Sequence, residues 1–197
     1  MSPSASDAQP DLLSGRIKML AIAALCLAPF VAASVAYFYW QPQGGMNYGD
    51  LIPARPLIDP PLRHLDQRVV RMSDLKGKWI LLQLDEAQCA AACRTKLYNM
   101  RQVRRAQGRE MERVERVWLI LDDAPLETQL MREYDGTRML RAAGSPLLAE
   151  FAAAGDVRDH VYVIDPLGNL MLRFPKDADP ARMKKDLVRL LKVSRIG

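Results

Sequence analysis

Residues 19–40 read MLAIAALCLAPFVAASVAYFYW, an apolar run with no charged position and no polar face. At ~1.5 Å of rise per residue, a helix of this length crosses the ~30 Å hydrocarbon core of a bilayer. The run ends in Tyr37, Phe38, Tyr39 and Trp40, the aromatic belt expected at a membrane interface. A cleaved signal peptide, processed near Ser34-Val35-Ala36, is the competing reading, but its apolar region would stop short of those aromatics. The pattern therefore predicts an uncleaved anchor. Arg16 and Lys18 flank its amino end and the first charge beyond it is Asp50, which places residues 1–18 in the cytoplasm and the rest outside. That compartment is a bacterial periplasm or its equivalent. Pro29 lies mid-span, where membrane helices tolerate it, and Cys26 reads as a small apolar residue at membrane depth.

After the anchor the pattern changes. Residues 41–61, QPQGGMNYGDLIPARPLIDPP, show neither a helical nor an alternating period and are rich in proline and glycine, so they read as a linker. Residues 62–197 have the length of one domain. Within it, residues 62–72 read as an extended pair around Asp66-Gln67, and residues 73–77 as a short helical turn ended by Gly77. Residues 79–84, WILLQL, and 114–121, VERVWLIL, are apolar runs of strand length, as buried central strands should be. Between them, Leu97, Met100 and Val103 recur at helical spacing over residues 90–107, closed by Gly108. Residues 126–134 and 146–154 read as helical, 160–164 and 170–174 as strands around the turn Asp165-Pro166-Leu167-Gly168, and 180–193 as a final amphipathic helix. The order ββαβαββα is that of an α/β sandwich with mixed strands.

Composition adds two constraints. With 49% hydrophobic and 26% charged residues the chain is a folded protein, not a disordered or fibrous one. The net charge of +5 is concentrated in Arg94, Lys96, Arg101, Arg104, Arg105, Arg109, Arg113 and Arg116. This is a solvated face or a docking face for an acidic partner or anionic lipid. A domain outside the cytoplasm excludes nucleic acid as a partner.

Two of the three cysteines, Cys89 and Cys93, are four residues apart at a strand-to-helix junction. The positive end of a helix favours thiolates there. At this spacing on a helix the Cα atoms are ~6 Å apart, within disulfide range if the helix start adjusts. An oxidising compartment favours that bridge, and two thiolates also make a soft site for Cu(I). A buried, inert pair is the bland alternative. Asp85 and Glu86 precede the pair and read as caps of the helix start or as proton acceptors, and Asp122 and Asp123 have the same two readings, with solvated loop positions favoured. His64 reads as a surface residue of the opening hairpin.

These features together resemble the Sco (Sco/SenC) family, membrane-anchored copper chaperones and thiol oxidoreductases of cytochrome c oxidase assembly. The resemblance rests on the C-x-x-x-C spacing of Cys89 and Cys93, on LDQRVVRMSDLKGKWILLQL, on VWLILDDAPLETQLMREY and on HVYVIDPLGNLMLRF. It implies a thioredoxin-like three-layer sandwich behind one transmembrane helix, anchored in a bacterial inner membrane. It also implies a redox-active Cys89–Cys93 pair that binds Cu(I), and an oxidase subunit or another assembly factor as partner. Family members carry proline after each cysteine, where this chain has Ala90 and Arg94. Their third copper ligand is a histidine five residues before the strand tyrosine. Val157 stands there, and His160, two residues before Tyr162, is the nearest candidate ligand. A shift of three positions along a strand turns a side chain to the other face. A thiol-disulfide oxidoreductase acting on client cysteines, and a thioredoxin-like scaffold, remain as alternative functions.

Overall fold

The computed structural model describes residues 12–39, 47–151, 155–194 and 196. It divides into two units, Met1–Gly45 and Met46–Gly197. In the first, α1 (Leu12–Tyr39) is one continuous helix with Pro29 inside it. Its stretch Gly15–Tyr39 has a mean hydropathy of 2.3 and is long and apolar enough to cross a membrane. Of the tail expected at 1–18, residues 12–18 belong to α1, while residues 1–11, Trp40 and linker residues 41–46 lie outside the described residues.

The second unit is built on an eight-stranded sheet of β1 (Asp50–Pro56), β2 (Leu62–His64), β3 (Val69–Val70), β4 (Trp79–Asp85), β5 (Val114–Ile120), β6 (Thr137–Arg141), β7 (Val161–Ile164) and β8 (Asn169–Phe174), in the order β1-β8-β7-β4-β5-β6-β2-β3. The central β4, β5 and β6 run parallel, and every other pairing is antiparallel. Strand alternation separates two cores. Trp79 and Leu81 of β4, with Trp118 and Ile120 of β5, face α2 (Ala91–Arg105), α3 (Thr128–Glu133) and α4 (Pro180–Val193), which contribute Leu97, Met100, Leu130, Met183 and Leu187. Ile80, Leu82 and Leu84 face the other way, onto Met72 and Leu75 of one 3-10 helix and Leu147 and Phe151 of another. Helical layers thus cover both sides of the sheet, the three-layer α/β arrangement expected from the sequence. Asp179 caps α4 by accepting from the Ala181 N–H at 2.8 Å, with Pro180 in the first turn.

Four expectations change. Residues 50–56, read as linker, form β1, paired antiparallel with β8. Pro53 and Pro56 break its hydrogen-bonding potential, which is tolerable because β1 is an edge strand. Just before it, the N–H groups of Tyr48 and Gly49 donate to the buried Asp186 carboxylate at 2.7 and 2.9 Å. A Cβ on Gly49 would come 2.5 Å from Leu172 Cδ2 and 2.9 Å from its Cγ, so any side chain there must push the buried Leu172 aside. Second, β6 lies in a stretch to which the sequence pattern assigned no element. Third, the helix expected over 126–134 shrinks to α3, and that over 146–154 becomes the 3-10 helix Pro146–Phe151, with 152–154 outside the described residues. Fourth, β7 begins at Val161, leaving His160 just ahead of it.

Candidate redox and metal site

The β4–α2 junction is a tight turn. The Cys89 N–H donates to the Glu86 carbonyl at 3.1 Å, and Cys89 itself adopts φ = +39°. Left-handed backbone costs a non-glycine residue ~1–2 kcal/mol. That departure from helical geometry is how the junction adjusts: α2 starts at Ala91, Cys89 stays outside it, and the two Cα atoms approach to 5.0 Å in a Cys89–Cys93 disulfide. The expected bridge is therefore present. Both residues are only 1% exposed and belong to the core cluster of Leu97, Trp118, Leu130 and Tyr134, onto which Ala124 and Leu126 of the loop after β5 pack.

No side chain caps α2, whose N-cap is Ala90, so the expectation that Asp85 or Glu86 caps it does not hold. Asp85 instead pairs with Lys96 at 2.9 Å, both largely buried, and Glu86 pairs with Arg158 at 2.8 Å. With no capping oxygen, the positive end of α2 faces the sulfur pair. Arg94, immediately after Cys93, reaches back to the Cys89 carbonyl at 3.2 Å and pairs with Glu127 at 2.6 Å. Glu127 holds the Arg94 guanidinium pKa above its ordinary value.

Two residues of this site carry more than their sequence reading. Asp122, read as a solvated loop position, accepts from the Ala87 N–H at 3.2 and 3.3 Å and lies 3.7 Å from the Arg141 guanidinium, tying the cysteine turn to the end of β5. Gln83 is fully buried on the face of β4 that looks at α2, and its Nε2 donates to Cys93 Sγ at 3.5 Å. Its Oε1 has no partner among the described residues. The signal was a polar residue in the middle of the buried run WILLQL.

His160 stands elsewhere. Its Nδ1 donates to the Phe174 carbonyl at 2.9 Å, and its ring lies edge-on to Tyr162, whose side chain belongs to the core on the opposite face of the sheet from the cysteines. Among the described residues no three His, Cys, Asp or Glu side chains are grouped to hold a metal, so His160 is not brought to Cys89 and Cys93 as a third ligand. The physical reason is the pleat: Val161 and Val163 face α2, and their neighbours Tyr162 and His160 do not. His64 sits in the β2–β3 hairpin, its Nδ1 3.0 Å from Asp66. The disulfide can be reduced to two thiols, and two thiolates this close suit a two-coordinate soft cation.

Comparison with known proteins fits this geometry. No curated protein sequence matches the chain. Copper-bound Sco1 from yeast is 14% identical, with a TM-score of 0.57 over 71% of this chain and 96% of that one. Copper-bound ScoI from Bradyrhizobium japonicum is 20% identical, with a TM-score of 0.52 over 68% and 99%. Apo Sco1 from Thermus thermophilus is 21% identical, with a TM-score of 0.55 over 76% and 98%. At these identities the likeness is one of fold: the second unit is folded as Sco proteins are. Residues 79–194, more than half of the chain, match the family described as transmembrane-like, thioredoxin-like, C-terminal domain, and the chain belongs to that family.

Proposed function

We propose that the chain is a Sco-like factor, anchored in a bacterial inner membrane by α1 with its thioredoxin-like domain in the periplasm, and that it serves cytochrome c oxidase assembly. The observation that carries this reading is the Cys89–Cys93 pair at the uncapped start of α2, in a fold shared with copper-bound Sco structures. Members of the Sco family are described as cytochrome c oxidase assembly proteins. A dithiol reductant gives the disulfide two electrons and two protons and becomes a disulfide itself, and one Cu(I) then displaces both protons of the new dithiol and is held by the two sulfurs as cargo. Cu(II), which prefers more ligands in a tetragonal set containing nitrogen or oxygen, binds weakly, because His160 stands apart. The partner that receives the metal is an oxidase subunit or another assembly factor.

Thiol-disulfide exchange with a client is the second reading, favoured by the formed disulfide itself. A client thiolate would attack one sulfur, form a mixed disulfide and release the other as thiolate. The burial of both sulfurs does not separate the two readings, since reduction, metal entry and attack by a client thiolate all require the turn to open first. Anaerobic Cu(I) titration of the reduced full chain, with a Cys89→Ser, Cys93→Ser control, separates the two. One Cu(I) bound by the native chain and none by the control supports the copper reading. No binding by the native chain leaves thiol exchange or a scaffold role.

A further inference from the structure

At the far end of α2 from the cysteines, ~20 Å along the helix at ~1.5 Å per residue, five arginines converge. Arg101, Arg104, Arg105, Arg116 and Arg132 line one cleft of about 260 Å³, with Gly136 at its wall. Arg116 is the unusual member. It projects from β5 onto the face that carries α2, beside Trp118 and Val114, and is 4% exposed. Its Nη2 donates to the Asp135 carbonyl at 2.8 Å, while Nε and Nη1 are buried with no partner among the described residues. Burial, and after it the charges of Arg104, Arg101 and Arg105, push its pKa down to about 10, still charged at neutral pH. A buried guanidinium with unmet donors among like charges is costly unless something neutralises it.

The protein's own acids do so only in part: Glu115, the preceding residue, favours the charged form but is itself paired with Arg138 at 3.4 Å. Glu133 and Asp135 also line the cleft, but offer backbone carbonyls, to Arg101 at 3.0 Å and to Arg116. Among the described residues the one carboxylate paired with any of the five is the exposed Glu112, 3.8 Å from Arg104. The cleft is also shaped around Arg116. Gly136 has φ = +76°, and a Cβ there would stand 3.1 Å from Arg116 Nη2. Thr137, next in the chain and opposite Arg116 in the β5–β6 register, has a buried hydroxyl that likewise lacks a partner among the described residues. Planar guanidiniums present forked N–H donors that match the oxygens of a phosphate group, and they supply the charge that such a group lacks.

We propose that this cleft is an anion site that seats one phosphate-class oxyanion on Arg116, with Arg105 and Arg132 closing over it from the exposed rim. The oxyanion is either free phosphate or the phosphodiester of an anionic lipid headgroup; the chemistry recognised is the same. The test is calorimetric titration of inorganic phosphate into the full chain in phosphatidylcholine nanodiscs, with ionic strength held constant by chloride. The expected result is saturable binding to one site, weakened at least tenfold in Arg105→Gln, Arg132→Gln, whose exposed side chains can be changed without disturbing the core. Arg116→Met should abolish it, and an unchanged melting curve of the rim variant keeps the test valid if Arg116→Met fails to fold. Repeating the titration in discs that contain phosphatidylglycerol identifies the source: at least a fivefold loss of phosphate affinity assigns the site to the headgroup, and an unchanged affinity assigns it to the free anion. No saturable heat with the native chain, or equal affinity in the rim variant, overturns the proposal.

Discussion

Replacing Gln83 by leucine tests whether the buried amide tunes the sulfur pair. In the disulfide state the amide N–H meets a neutral sulfur at 3.5 Å, a weak bond, while Oε1 is buried without a partner among the described residues, at a cost of ~1–3 kcal/mol. In the reduced state the same N–H meets a thiolate, and a hydrogen bond to a charged group contributes ~1.5–3 kcal/mol. Leucine removes both the bond and the orphaned carbonyl. The disulfide form is then as stable as before or more so, while the thiolate form loses about 1–2 kcal/mol on balance. Since ~1.4 kcal/mol corresponds to ~30 mV for a two-electron couple, the midpoint potential should become more negative by about 20–45 mV. Cu(I) affinity should fall by about tenfold, the equivalent of ~1.4 kcal/mol. The assay equilibrates the full chain in dithiothreitol redox buffers, quenches it in acid, labels the denatured chain with a maleimide and counts the labels by mass, one for Cys26 in both states and two more when Cys89 and Cys93 are reduced. An unchanged or less negative midpoint refutes the reasoning. So does a lowered melting temperature of the oxidised variant, which would show that Gln83 serves packing alone.

Three further outcomes are expected. His160→Ala should leave Cu(I) affinity within about tenfold in the same anaerobic titration, because the ring stands against Tyr162 and Phe174 and not beside the sulfurs. Asp122→Ala should lower the stability of the domain by ~1–3 kcal/mol in denaturant unfolding, because the Ala87 N–H loses its acceptor and the Arg141 guanidinium its ion-pair partner, while Arg141 keeps its bond to the residue 122 carbonyl; a change below ~0.5 kcal/mol would mean that the turn holds itself. The Arg158 side chain hydrogen-bonds Asp156 and holds its carboxyl below the ordinary 3.8, so this pair stabilises the fold above pH 3.8 and ceases to do so as the pH falls below it. The melting temperatures of native chain and Asp156→Asn should therefore differ at pH 6, and the gap should narrow as the pH is lowered below 3.8; a gap that does not narrow would contradict the assignment.

The two central strands and the two long helices were legible because each carries a strong period or an unbroken apolar run. WILLQL and VERVWLIL lie within one residue of β4 and β5, and the Leu97–Met100–Val103 spacing marks the buried face of α2. The edges were not legible. In β1 only Ile52 is even half-buried and two prolines interrupt it, so the sequence DLIPARP shows no alternation to read. In β6 only Met139 and Leu140 are buried, between arginines, because that strand is held by pairing with β5 and β2 more than by its own apolar content. The cysteine pair could be found from spacing alone. Gln83 and Asp122 could not be assigned their partners, since each touches the pair or its turn across ten or more positions of chain.

The clamp of Asp186 on Tyr48 and Gly49 has a mechanical consequence. Tension passed down the chain from α1 arrives first at two hydrogen bonds to a buried carboxylate, before it reaches the β1–β8 ladder that would otherwise peel from its end. The same clamp fixes where the second unit can be cut. A fragment beginning at Leu62 would lose β1, leave Asp186 without its two backbone donors and bare β8 as an open sheet edge prone to self-association, whereas one that keeps Tyr48 carries the seam with it.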